Sequence, residues 1–314
     1  PLAKRRRTDD SDATRTPVTR SAEYWFDDGN IILQVESTQF RVAKSVLSMH
    51  SSVFRDMFAL PLPADEPTIE NCPVVVLSGD TAKDWVVLLG ALYPKRLVEE
   101  EALHLNRIAA ILRLSKKYDF PLFRKDSLKK FKTEFPTTLE EFDALDQWPF
   151  ENTHMYPTAI SLAKEIGVHS VLPLAYILLL DNSMPVLNPS DADLDASDRF
   201  ACLLGYANLL ELQASETFAW LNLEEKHIPS PSCRQSSKCT AALKDVAFNM
   251  STKDIRPRVW ILQEWEKEWE AGMCELCRKK AKKVYEASSE TCWQRLPSMF
   301  GLPGWQELRS LDFE

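Results

Sequence analysis

The 314-residue sequence predicts an α+β N-terminal fold, a small sheet flanked by helices, followed by a mostly α-helical C-terminal region. Three observations carry this. The strand-like segments, Asn30–Val35, Gln39–Val42 and Val74–Leu77, lie in the first quarter of the chain. From Thr81 onward, apolar residues recur at the i, i+3, i+4, i+7 spacing of amphipathic helices. Glycine is scarce, eight in all, where usage of ~7% is ordinary. The same scarcity excludes GxGxxG, GxxxxGK[ST] and GxSxG, and with them the usual dinucleotide, P-loop and nucleophile-elbow chemistries.

Order is expected from Ser21. Asn30–Val35 and Gln39–Val42, separated by Glu36-Ser37-Thr38, predict a hairpin. Ser45-Val46-Leu47 leads into Ser51–Phe58, where Phe54, Met57 and Phe58 form one apolar helical face. Residues 61–73 contain four prolines and are expected to form a loop. Val74-Val75-Val76-Leu77 is uniformly apolar, the pattern of a strand buried on both faces. Thr81-Ala82-Lys83-Asp84 is a capping-box pattern opening a helix with Trp85, Leu88, Leu89 and Leu92 on one side, ended by Pro94.

The next helix carries Leu105, Ile108, Ala109 and Leu112, with a second stripe of Ile111, Leu114 and Tyr118. Pro121 opens another, with Leu128, Phe131 and Phe135 aligned and Pro136 closing it. Thr138-Leu139-Glu140-Glu141 is a second capping box. Pro157 opens a helix that stops at Gly167, and Ser170 begins the next with Pro173 in its first turn. Asp191, Asp193 and Asp195 have EF-hand-like spacing, but Ala196 and Cys202 replace the turn glycine and the bidentate glutamate. They are read as an acidic cap on a helix at about 197–204. Trp260–Glu270 is expected to be an amphipathic helix, with Trp260, Trp265 and Trp269 in the core.

The net charge of −8 argues against a general nucleic-acid surface, so no direct nucleic-acid partner is expected. Six basic and three acidic residues give residues 1–20 a net +3, leaving −11 on the rest. Lys4-Arg5-Arg6-Arg7 on this disordered arm is read either as a nuclear-import patch or as a solvated tail. No apolar signal-peptide core is visible. The longest apolar run, Val171–Leu180, is shorter than the ~20 residues of a membrane span. Seven cysteines without a secretory signal point to a reducing compartment, so an intracellular location, nucleus or cytoplasm, is expected.

The run Phe40–Phe58 joins these elements into a pattern. Phe40, Val42, Lys44, Val46, Leu47, Ser51, Phe54, Met57 and Phe58 match the F-x-V-H-[KR]-x-V-L-x-x-x-S-x-x-F-x-x-M-F signature, so the chain resembles BTB/POZ proteins over about residues 24–135. Residues 88–93 and Ile111–Tyr118 agree with later helices of that family. Tyr24–Asn30, Glu134–Glu141 and Leu296–Leu308 are similar to a fungal, basidiomycete-type expansion of it. The resemblance implies protein partners, a second copy among them, and a BACK-like helical extension. Two positions depart: Ala43 stands where the family has histidine, and Asn30 where many members have the aspartate that pairs with the basic residue at the dimer interface. Asp28 is a candidate substitute partner for Lys44. Many adaptors for cullin-type ubiquitin ligases carry a φ-x-E motif after the helix pair, and residues 59–72 give no clean match. The expected organisation is a basic tail (1–20), a BTB/POZ domain (21–136), a BACK-like region (137–225) and a C-terminal helical subdomain (226–314).

The last third holds the most pointed chemistry. Cys233-x5-Cys239 and Cys274-x2-Cys277 supply two thiolate pairs, the donor set of a tetrahedral structural zinc site. The alternative is four free thiols in a helical subdomain. A redox CxxC would need a βαβ setting, which the preceding segment does not provide. Cys72, Cys202 and Cys292 are expected to be core thiols. Arg278–Lys283 is read as a solvated face answering Glu264, Glu266, Glu268 and Glu270. The five histidines sit in unrelated segments. Together these features predict a non-enzymatic interaction protein. The alternatives are a nuclear transcription or chromatin regulator and a cullin-type ligase adaptor. An enzyme would instead require a pocket with convergent titratable groups.

Overall fold

A computed structural model describes residues 17–61, 68–94, 105–145, 155–182, 194–223, 227–252 and 259–312. Lys4–Arg7, Asp191, Asp193, His104 and His154 lie outside the described residues. The chain forms two compact units, Pro1–Leu128 and Lys129–Glu314.

In the first unit, β1 (Thr19–Trp25), β2 (Ile31–Val35) and β3 (Thr38–Val42) precede α1 (Lys44–His50) and α2 (Ser52–Ala59). Then come β4 (Thr68–Ile69), β5 (Cys72–Leu77), α3 (Ala82–Leu92), α4 (Leu105–Tyr118) and α5 (Pro121–Glu134), which crosses into the second unit. The sheet order is β1-β3-β2-β5-β4. The expected hairpin is β2/β3, with Ile31 opposite Val42 and Val35 opposite Thr38. β2 pairs parallel with β5 and β1 parallel with β3. Alternation then sorts the side chains. Ile31, Leu33, Val35, Phe40 and Val42 face a core closed by Leu47, Phe54, Trp85, Leu88, Leu89 and Tyr118. Asp80, at the entry to α3, accepts hydrogen bonds from Trp85 Nε1 (2.9 Å), Tyr118 Oη (2.5 Å) and Lys117 Nζ (2.5 Å), tying α3 to α4.

Two expectations fail here. Residues 61–73 are not all loop: Glu70 and Asn71 adopt positive φ (51° and 61°), the primed geometry that closes a tight hairpin between β4 and β5. Nor is β5 buried on both faces. Val74 and Leu77 are buried, but Val76 is 63% exposed. The second sheet face carries only a small cluster of Ile32, Cys72 and Val74 with Trp25 and Ile69, and the two-residue strand β4 does not extend alongside Val76.

The second unit holds α6 (Leu139–Asp143), α7 (Met155–Ile166), α8 (Leu172–Asn182), α9 (Ala196–Leu212), α10 (Ser236–Thr252), α11 (Glu275–Met299) and α12 (Trp305–Leu311). Short 3₁₀ turns lie at His169–Val171, Ala219–Leu221 and Lys267–Glu270, and a π turn at Gln213–Thr217. The Thr81 and Thr138 hydroxyls accept from the amides of Asp84 and Glu141, as the capping patterns predict. Gly167 ends α7 at φ 79°. Asp195 caps α9, but that helix runs well past residue 204. Gly205 does not break it. A Cβ there would stand 2.2 Å from Phe300 Cδ1, so the glycine makes room for a packed ring. Lys164 reaches Asp195 (2.7 Å) and Asp198 (2.9 Å), and Tyr176 donates to Asp198 (2.6 Å), joining α7, α8 and α9. No helix of the described residues is long and apolar enough to cross a membrane.

Trp260–Glu270 is not a helix. It is irregular up to the 3₁₀ turn at Lys267–Glu270. A helix would stack Glu264 on Glu268 and Glu266 on Glu270 at i, i+4, pairs of like charge. The irregular path lets Trp265 and Trp269 pack on Trp220 and Tyr285. The basic run on α11 is also only partly as expected. Arg278 meets Glu270 at 3.5 Å, whereas Lys279 and Lys282 pair within the helix with Glu275 and Glu286.

Candidate metal centre and interaction elements

The four cysteines converge. The Sγ atoms of Cys233, Cys239, Cys274 and Cys277 all lie within 4.8 Å of one another. Cys233 is 3.7 Å from Cys239 and 3.6 Å from Cys274. A disulfide would need ~2.05 Å. A tetrahedron with metal–sulfur bonds of ~2.3 Å has edges of ~3.8 Å, so the spacing suits one ion shared by four thiolates.

Local structure explains the convergence. Cys239 sits in the first turn of α10, and Cys274 is the N-cap of α11 with Cys277 in its first turn. Cys239, Cys274 and Cys277 therefore lie at helix N-termini, where backbone N–H groups and the helix dipole favour a thiolate, and Cys233 lies in the turn just before α10. Further backbone amides point at sulfur. Ser230 N–H donates to Cys277 (3.3 Å), Gln235 N–H to Cys233 (3.4 Å) and Cys274 N–H to Cys239 (3.3 Å). Such donors offset the charge of a tetrathiolate and orient its ligands. The thiols differ in readiness to ionise. The Cys277 amide pulls the Cys274 thiol down to about 7, while burial pushes Cys277 up to about 12 and raises Cys239. A cation binding here must displace protons from the buried pair.

The centre is one end of a buried cluster in which Trp220, Trp269, Leu243, Met273 and Tyr285 pack with the cysteines. Trp269 was legible as a core residue, but Trp220 and the meeting of both with the thiolates were not, since Trp220 and Trp269 are far apart in sequence. Cys72, Cys202 and Cys292 are buried free thiols, as expected.

The signature residues of the first unit divide by role. Phe40, Val42, Leu47 and Phe54 are fully buried, and Val46, Met57 and Phe58 are half-buried against them. Ser51 joins α1 to α2. Its hydroxyl accepts from Phe54 N–H (3.0 Å) and donates to the Tyr118 carbonyl (2.5 Å). Asp28 does not replace the missing acidic partner. Among the described residues Lys44 makes no ion pair, and its ammonium lies 5.5 Å from the centre of the Phe58 ring. Asn30 acts differently, accepting the Lys44 amide at 2.8 Å and so satisfying a free N–H at the start of α1.

A groove of about 710 Å³ opens between α6, Ile261–Trp265 and α11. Asp143, Glu264, Lys282 and Glu286 line it. The sequence did not mark this site, because the helical spacing of Trp260–Glu270 hides a wall that is irregular. Among the described residues it contains titratable groups but no hydrogen-bonded pair of nucleophile and base.

No curated protein matches the chain. The model of the BTB/POZ domain matches residues 25–134, which take in β2 to β5, the α1–α2 pair and the helices up to the end of α5, but only the last residue of β1; this stretch of the chain is a BTB/POZ domain, and it implies protein–protein interaction.

Proposed function

We propose that the protein is a non-enzymatic adaptor whose BTB/POZ domain pairs with a second copy and whose C-terminal unit, stapled by a structural zinc ion on Cys233, Cys239, Cys274 and Cys277, presents a second binding surface. The observation that carries the reading is the BTB/POZ match itself, a fold that is typically non-catalytic and works through surfaces. Exposed apolar side chains beside the signature helices support self-association: Met49 is 75% exposed and Val53 41%. The thiolate geometry and its N–H donors support zinc over four unrelated thiols. The fungal subgroup rests on the three quoted segments alone.

Light scattering of the full chain tests the pairing. The expected mass is twice the 35.9 kDa of one chain, and a strict monomer at high concentration refutes it. Metal analysis of protein made with zinc present tests the staple, with one zinc per chain expected and none refuting it. The nuclear reading rests on Lys4–Arg7 and is tested by whether deleting that run abolishes import.

A further inference from the structure

The groove between α6, Ile261–Trp265 and α11 has an apolar wall and an acidic rim. Phe142, Leu145, Ile261, Leu262 and Trp265 supply the wall. Asp143, Glu264 and Glu286 stand on its rim, each exposed to solvent. Lys282 is the one lining cation among the described residues, and Glu286, 3.7 Å away, already engages it. Asp143 is left facing like charge. Its carboxyl is raised by burial and then by the neighbouring Glu264 and Glu290.

The irregular wall is held in place before any partner arrives. Tyr285 donates its hydroxyl to the Gln263 carbonyl at 2.8 Å, and the Trp260 amide donates to the Gln213 side chain. Trp265 packs edge-on against Tyr285 and bonds through Nε1 to Glu270 (3.0 Å). A wall ordered in the free protein costs little further ordering when a ligand docks. The volume is that of a ligand site, commonly ~300–1,000 Å³.

We propose that this groove docks a short segment of a partner protein that carries apolar residues flanked by lysine or arginine. The apolar wall takes the central side chains out of water. Asp143 and Glu264 take the flanking ammonium or guanidinium groups, with Glu286 shared between them and Lys282. A bare metal ion would leave the apolar wall uncovered, and an acidic or neutral segment would leave Asp143 and Glu264 facing each other without a counter-charge. The inference deepens the adaptor reading by assigning the client surface of the C-terminal unit.

The test uses full-length protein and three fluorescein-labelled peptides, read by anisotropy at physiological salt. Lys-Arg-Leu-Leu-Arg-Lys is the probe. Lys-Arg-Gly-Ser-Arg-Lys keeps the charge without the apolar centre, and Glu-Ser-Leu-Leu-Glu-Ser keeps the centre with opposite charge. Saturable binding of the first, about tenfold tighter than either control, is expected, since one lost contact of this kind is worth about a factor of ten. Glu264→Gln with Glu286→Gln weakens it about tenfold and flattens its salt dependence. Leu262→Asp weakens it at unchanged circular dichroism. If the Gly-Ser peptide binds as tightly as the probe, the attraction is only the general pull of a chain with net charge −8, and the proposal is overturned. Affinity unmoved by the rim or wall variants overturns it equally. Light scattering on the same samples reports self-association separately, so loss of the groove reading leaves the dimer reading standing, and the reverse.

Discussion

Replacing Ser51 with alanine probes why the BTB/POZ signature holds a serine at the α1–α2 junction. The residue is 1% exposed, and its hydroxyl both accepts from Phe54 N–H and donates to the Tyr118 carbonyl. Its backbone bonds, from Ser51 N–H to Leu47 and from Arg55 N–H to Ser51, survive the change. The loss is therefore confined to the hydroxyl. Removing a serine N-cap costs about 1 kcal/mol, within a range of ~0.5–2. Leaving the buried Tyr118 carbonyl without its donor adds about 1–3 kcal/mol. The sum is about 2–4 kcal/mol, enough to lower the melting of a unit near one hundred residues by about 10–20 °C. Because the chain has two units, the global transition need not be two-state. Hydrogen exchange of peptides from α2 and α4 gives a local reading, and calorimetry gives the overall one. Ser45→Ala, an exposed position on α1, is the control and should move stability by less than about 0.5 kcal/mol. If Ser51→Ala behaves like Ser45→Ala, the hydroxyl does not hold α2 to α4 and the reasoning is wrong.

Chelation of bound zinc, or Cys239→Ser, should lower the protection of the 228–285 core against exchange while leaving the β2–α4 peptides unchanged; equal loss in both places would refute a staple local to the C-terminal unit. Gly205→Ala would ordinarily strengthen a helix by about 1 kcal/mol. Here the new Cβ meets Phe300, whose ring packs tilted against Tyr176 at 5.1 Å, so overpacking of about 1–3 kcal/mol should win and a stabilised variant would refute the contact. Lys164, with help from the Asp198 amide and the Ser197 hydroxyl, holds the Asp195 carboxyl below the usual range. A folded-state value below the unfolded one means this stabilisation is complete above about pH 4 and is lost as pH falls further. Asp195→Asn keeps a good cap but no charge, so its stability should fall less steeply below pH 4; an unchanged slope refutes the pairing.

Much of the fold was legible because it is written in local periodicity. The β2/β3 alternation, the apolar faces of α3 and α4, and the caps at Thr81 and Thr138 each follow from neighbours within a few residues. The four ligands were legible as two pairs, since each CxnC straddles the start of one helix. Where the reading failed, distant residues mostly decided. The exposure of Val76 depends on which strand lies alongside, whereas the Glu70-Asn71 turn is local and was hidden among the prolines of 61–73. Trp260–Glu270 has helical spacing, but like-charge repulsion and the packing of Trp265 and Trp269 on Trp220 and Tyr285 override it.

The sequence by itself determined the strand or helix character of β2, β3, β5 and α2 to α5, the BTB/POZ signature with its buried Phe40, Leu47 and Phe54, and the cysteine pairs. Each is a matter of spacing along one element, and spacing survives without coordinates. Only the tertiary structure decided that the two pairs meet within 4.8 Å, that Asn30 serves the start of α1 instead of pairing with the Lys44 ammonium, and that an acidic rim surrounds an apolar groove. Those facts depend on helices and loops distant in sequence being packed together, where burial of tryptophan and satisfaction of backbone N–H groups select one arrangement from many that the same local pattern would allow.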